Sequence, residues 1–150
     1  HSDRVKIRIH RENKSELLEL YRGDVAYHRG LELGVVDTRL NGGYALIYAL
    51  KDDAEYAANM GERYCQRTTT RYPNATSIIV DGETNTRNRE STFRILSIND
   101  GTVELAVDAG GLSREMNISC GTTINLPDQK INLIWYGRAK KNSAKIVAHT

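Results

Sequence analysis

The stretch from Asn41 to Gly82 constrains the fold most, because the rest of the chain reads as packing against it. Asn41-Gly42 accepts positive φ at both centres of a type I′ turn and Gly43 relaxes the exit, which predicts a tight hairpin. Tyr44 to Leu50 (YALIYAL) then reads as a strand, and its near-continuous apolarity predicts cover on both faces. Asp52 and Glu55 have capping-box spacing, so a helix is expected to start there. Ala54, Ala57, Ala58, Gly61, Cys65 and Thr68 share one face of that helix, a narrow face that lets a backbone lie close to a sheet. Asp52, Asp53 and Glu55 suit the positive end of its dipole, and Arg63, Arg67 and Arg71 the negative end. Pro73 ends the element, and Ser77 to Val80, closed by Asp81-Gly82, is a second strand.

Upstream, Arg4 to His10 alternates without a fault: Val5, Ile7 and Ile9 on one face, Arg4, Lys6, Arg8 and His10 on the other. This predicts a strand whose outer face is a basic ladder, either an edge guarded against aggregation or a strip that meets an anion. Ser15 is read as the cap of a short helix through Leu17, Leu18, Leu20 and Tyr21. Arg22-Gly23-Asp24 spells an adhesion tripeptide, which needs an exposed loop tip to act. Leu31 to Leu40 is a strand entering the Asn41-Gly42 turn.

Residues 83–90 (ETNTRNRE) carry no apolar side chain and read as a polar loop. Beyond it the pattern becomes hairpins. Thr92 to Ile98 and Thr102 to Asp108 alternate across Asn99-Asp100-Gly101, a strong turn signal. Arg114 to Cys120, Thr122 to Leu126, Ile131 to Tyr136 and Ala144 to Ala148 continue the rhythm of a small barrel or sandwich. The expected fold class is therefore α+β: a small sheet with one main packed helix over residues 1–82, then antiparallel β hairpins over residues 91–150. The 150 residues fit one domain, since neither half alone buries its apolar faces.

Cys65 and Cys120 are the whole cysteine count, with no CxxC spacing and no His pair nearby, so zinc and thioredoxin-type readings have no support. Each falls where the two halves meet. That predicts a disulfide, and with it an oxidising compartment; two free core thiols are the alternative. The sequence opens His1-Ser2 without Met, so whatever lies upstream, a signal peptide or a lipid anchor included, is expected to have been processed away or left out. No run approaches the roughly 20 apolar residues of a membrane-spanning helix.

Nucleotide-binding, metalloprotease, nucleophile-elbow and EF-hand motifs are absent from the sequence, which weakens enzyme readings without abolishing them. Among the histidines His28 is the one worth testing, in an expected loop; Asp81 with Glu83 is the best carboxylate pair. A net charge of +2 does not demand a polyanion, yet Arg outnumbers Lys, and Arg suits bidentate contacts with carboxylate or phosphate.

The reading that follows is a non-enzymatic extracytoplasmic domain, periplasmic or secreted, which binds or assembles within a cell-envelope or secreted complex. No cofactor or metal is expected. Its partner is a protein, or an anionic lipid or polymer, met through Arg4, Lys6, Arg8 and His10 and through Arg63, Arg67 and Arg71. An Arg-rich nucleic-acid-binding protein of the cytosol is the alternative, disfavoured because most tyrosines do not interleave with the charges. A small hydrolase or transferase comes third.

Overall fold

A computed structural model describes residues 4–11, 13–28, 30–39, 43–51, 54–65 and 72–150. In chain order these form β1 (Arg4–Arg11), β2 (Lys14–Tyr21), β3 (Val25–His28), β4 (Leu31–Arg39), β5 (Tyr44–Lys51), α1 (Ala54–Asn59) and β6 (Arg63–Tyr64). They continue with β7 (Thr76–Asp81), β8 (Thr86–Asn88), β9 (Ser91–Asn99), β10 (Thr102–Ala109) and β11 (Leu112–Ser119), then β12 (Thr123–Asn125), β13 (Lys130–Gly137) and β14 (Ser143–His149).

The strongest alternation in the sequence builds a β-sandwich. One sheet has the order β11-β10-β9-β8; the other runs β12-β13-β14-β7, with β6 also paired to β13. Val103, Leu105 and Val107 of β10 point into the space between them, joined by Phe93, Ile95, Ile131, Leu133 and Ile146. A bulge where β9 meets Glu104 and Leu105 takes up one residue, so that Ile95 and Ile98, three apart, both turn inward. Phe93 at 0% exposure contributes about 1.5–3 kcal/mol through burial of this kind.

Every residue of β14 is buried, because its sheet is covered twice. Ala144, Ile146 and Ala148 face the sandwich interior. Val147 joins Ile134 and Trp135 of β13 on the far face, where Tyr27, Ala57 and Tyr72 cover them. β3 and α1 therefore form part of a third layer.

The N-terminal strands make a smaller unit: the β1–β2 hairpin lies against the sheet β3-β4-β5, with Ile9, Leu18, Leu20, Ala26, Leu33 and Val35 between. Val5, Ile7 and Ile9 face this core, as their alternation requires.

The α+β expectation is overturned. Among the described residues the only helix is α1, six residues long, and nearly everything else is strand. Gly61 is the reason: with φ of 66° it ends the helix. The amide of Glu62 donates to the Ala57 carbonyl and that of Gly61 to the Ala58 carbonyl, the paired bonds of a glycine-terminated C-cap. Gly61 is thus a stop signal, and Cys65 lies past β6, off the helix. Asp52, the expected cap, falls outside the described residues.

The expected helix at Ser15 to Tyr21 is strand β2. Its register against β1, Ile7 opposite Leu18 and Val5 opposite Leu20, places alternate leucines in the core. The polar stretch 83–90 contains β8, paired with β9 from Thr86 opposite Phe93 to Asn88 opposite Ser91.

The predicted disulfide is present. Cys65 and Cys120 are bonded, with Cα atoms 5.3 Å apart and a sequence separation of 55. Cys65 follows β6 on one sheet of the sandwich and Cys120 follows β11 on the other, so the bond ties the two sheets together.

Candidate functional site

Arg4, Lys6, Arg8 and His10 are exposed on the outer face of β1, where the alternation put them. They do not form a ladder of unopposed charge. Glu19 on β2 lies 3.5 Å from Arg4 and 4.0 Å from Lys6. Arg8 stands opposite Leu17 and His10 opposite Ser15. Exposed pairs of this kind are worth at most about 1 kcal/mol, so these cations remain available to another acceptor.

The same strand forms one wall of a groove of about 310 Å³, lined by Arg4, Val5, Lys6, Thr38, Arg39, Gly43, Tyr44 and Ala45. Arg39 brings a third cation, its guanidinium 6.0 Å from the centroid of the Tyr44 ring. Its Nε is 3.8 Å from Asp37, a carboxylate that also has Arg22 at 3.9 Å. The Thr38 hydroxyl at the wall is buried with no hydrogen-bond partner among the described residues. Sequence reasoning passed over Arg39 and Tyr44, which the register of β4 against β5 makes cross-strand neighbours; the expected Asn41-Gly42 turn between them lies outside the described residues.

From this groove runs β5, the outermost strand of its sheet. Its apolar run was expected to be covered on both faces, and it is not. Tyr44 is 51% exposed, Leu46 54%, Ile47 44% and Leu50 55%. The cause is position: β4 pairs it on one side, and the core between the N-terminal sheets is filled from β1, β2, β3 and β4. No charge interrupts Tyr44 to Leu50, so the usual protection of an edge strand is missing. Tyr48 is the anchored residue, its ring lying over Gly34, where an added Cβ would come within 2.0 Å of it.

The Tyr48 hydroxyl donates to Glu32 at 2.8 Å. Burial, and then Glu32, push the Tyr48 phenol up to about 12. Tyr27 is likewise raised by burial and by the same carboxylate. Burial pushes the Lys145 ammonium down, with the Glu32 charge opposing. The Glu32 charge is thus felt by Tyr27 and Tyr48 of the N-terminal sheet and by Lys145 of β14.

Of the second predicted basic group only Arg63 is described, and it lies past the helix. Arg63 is exposed in β6; Arg67 and Arg71 lie outside the described residues. Arg63 lines another groove of about 310 Å³ with Arg138, Asp100 and Tyr136. Arg138 is committed to the Ile98 carbonyl at 2.9 Å, and the Tyr136 hydroxyl accepts from the Gly101 amide at 3.0 Å.

The enzyme candidates are structural. His28 is not in a loop: it ends β3, buried, with Nε2 2.7 Å from Glu16 and no partner for Nδ1 among the described residues. Asp81 accepts from the amides of Glu83 and Thr84, each at 2.9 Å, and pairs with Lys141 at 3.3 Å. Burial raises this carboxyl, but the Thr84 and Glu83 amides and Lys141 outweigh it and hold Asp81 below the ordinary carboxylate value. That is a turn lock, which leaves no free acid–base pair with Glu83. Asp24 of the adhesion tripeptide is 5% exposed and accepts from the Tyr21 amide at 2.8 Å, so the tripeptide is built into a turn.

The described residues form a disulfide-bonded, nearly all-β chain in which the apolar edge strand β5 is flanked by cations. Among the described residues no helix is long and apolar enough to cross a membrane. Comparison with protein-family models, with curated proteins and with solved structures finds no match for this chain.

Proposed function

We propose that this chain is a binding or assembly domain of a cell-envelope or secreted complex, and that it engages a protein partner by accepting a strand along β5. The observation that carries the reading is the exposure of Tyr44, Leu46, Ile47 and Leu50 on an edge that nothing else in the chain pairs among the described residues. Strand addition satisfies the open backbone edge, and alternate side chains give specificity. Charge narrows the partner further. Lys51 stands at one end of β5, and Arg4, Lys6 and Arg39 at the other. An apolar strand with acidic groups at its ends complements that pattern better than a second copy of this chain does. The disulfide fits folding in an oxidising compartment, which supports a periplasmic or secreted setting.

The test is selection of short random peptides on the oxidised chain, followed by amide hydrogen exchange with a selected peptide bound. Protection concentrated in residues 44–51, and loss of binding in Ile47→Lys, is the expected result. Protection elsewhere, or binding unchanged in that variant, refutes strand docking.

A further inference from the structure

The groove at the start of β5 gives the docking reading a direction. β1 pairs only with β2 and β5 only with β4 among the described residues, and the groove is lined by β1 and by the hairpin end of β4 and β5. β5 begins there, at Tyr44, and runs away to Lys51. The partners of β4, on both sides, are antiparallel. A strand added to β5 in the same sense runs back toward Tyr44, and its C-terminal end arrives at the end of β5 where Tyr44 and Ala45 line the groove with Arg4, Lys6 and Arg39.

We propose that this groove holds a carboxylate at the C-terminal end of the docked partner strand. The proposal rests on the strand-docking reading and adds polarity and a terminal acid to it. All three cations already face carboxylates of this chain: Glu19 reaches Arg4 and Lys6, and Asp37 reaches Arg39. Those contacts of 3.5 to 4.0 Å are long for charge-assisted hydrogen bonds. An incoming carboxylate therefore replaces weak pairs instead of breaking strong ones, and three cations meet it where each resident acid neutralises only part of the set. Thr38, also in the lining, has a buried hydroxyl with no partner among the described residues, a donor not yet used. Backbone pairing along β5 supplies length, and the groove fixes where the strand stops.

The experiment uses the full oxidised chain and short random peptides displayed with free C-termini. Enriched peptides are expected to alternate apolar residues and to end in a free carboxylate. Amidation of that end weakens binding about tenfold, the scale of one or two hydrogen bonds to a charged group. In the variant carrying Arg4→Gln, Lys6→Gln and Arg39→Gln, the peptide still binds, but free and amidated forms become equal. If the amide binds as well as the acid on the unmodified chain, or the triple variant still discriminates, the carboxylate site is refuted and strand docking stands. If no peptide is enriched, or Ile47→Lys binds as tightly as the unmodified chain, docking fails and the carboxylate site with it. Circular dichroism of each variant, matching the parent, establishes that the comparison is between folded chains.

Discussion

Opening the Cys65–Cys120 bond tests the architecture at its most quantifiable point. The bond closes a loop of 55 residues. Chain entropy gives a stabilisation of about 4 kcal/mol for a loop of that size, through restriction of the unfolded chain. In a chain of this length each kcal/mol shifts the melting temperature by about 2–4 °C, so loss of the bond lowers it by roughly 8–16 °C. The native state gives a reason to expect most of that value. Cys65 is 1% exposed, and its amide donates to the Ile134 carbonyl at 2.9 Å, so the half-cystine, just past β6, is already held against β13. Replacing both cysteines by Ala leaves that backbone bond intact and removes only the covalent tie between the sheets. Scanning calorimetry of the double variant against the parent, with reductant added to each, separates the tie from side-chain effects. A melting temperature within 2 °C of the oxidised parent refutes the argument that the bond contributes about 4 kcal/mol.

Three other perturbations probe different layers. Ile146→Ala opens a cavity between the sandwich sheets beside a strand buried on both faces, and should cost about 2–5 kcal/mol in a urea titration. Gly34→Ala places a methyl where the Tyr48 ring lies and displaces Tyr48 from Glu32; a loss of about 1–3 kcal/mol is expected, and none if Tyr48 turns away freely. Burial depresses the His149 imidazole below its ordinary 6.5, so its neutral form favours the fold; stability contributed at higher pH is lost as pH falls from 6.5 through the lowered value. His149→Gln should flatten that part of the pH profile of the urea midpoint, and an unchanged profile assigns the acid sensitivity elsewhere.

The second half of the fold was legible because its signals are local. Asn99-Asp100-Gly101 places Gly101 at φ of 74°, and the alternating runs on either side become β9 and β10. The first half misled for a physical reason: Ser15 and the following leucines satisfy a helix pattern as well as a strand pattern. The decision is made by β1, whose inward residues Val5 and Ile7 need partners at Leu20 and Leu18. Gly61 was misassigned because a glycine inside a helix and one that stops it look alike when small residues continue the periodicity. The exposed β5 edge was half legible. Its composition announced an apolar strand, but a short apolar run carries no mark of whether its faces are covered. Arg39 and Tyr44 were hidden because they meet Arg4 and Lys6 only through tertiary packing.

The position of β14 also governs the order in which the molecule can assemble. It is the last strand in sequence, yet it lies between β13 and β7, and the β7 residue Val80 waits for Ala144. Until that segment is available, β7 lacks its neighbour and the sandwich interior stays open to water on one side. Closure of the sandwich therefore waits for β14 to enter between β13 and β7, a slow step set by the long separation of β7 from β14.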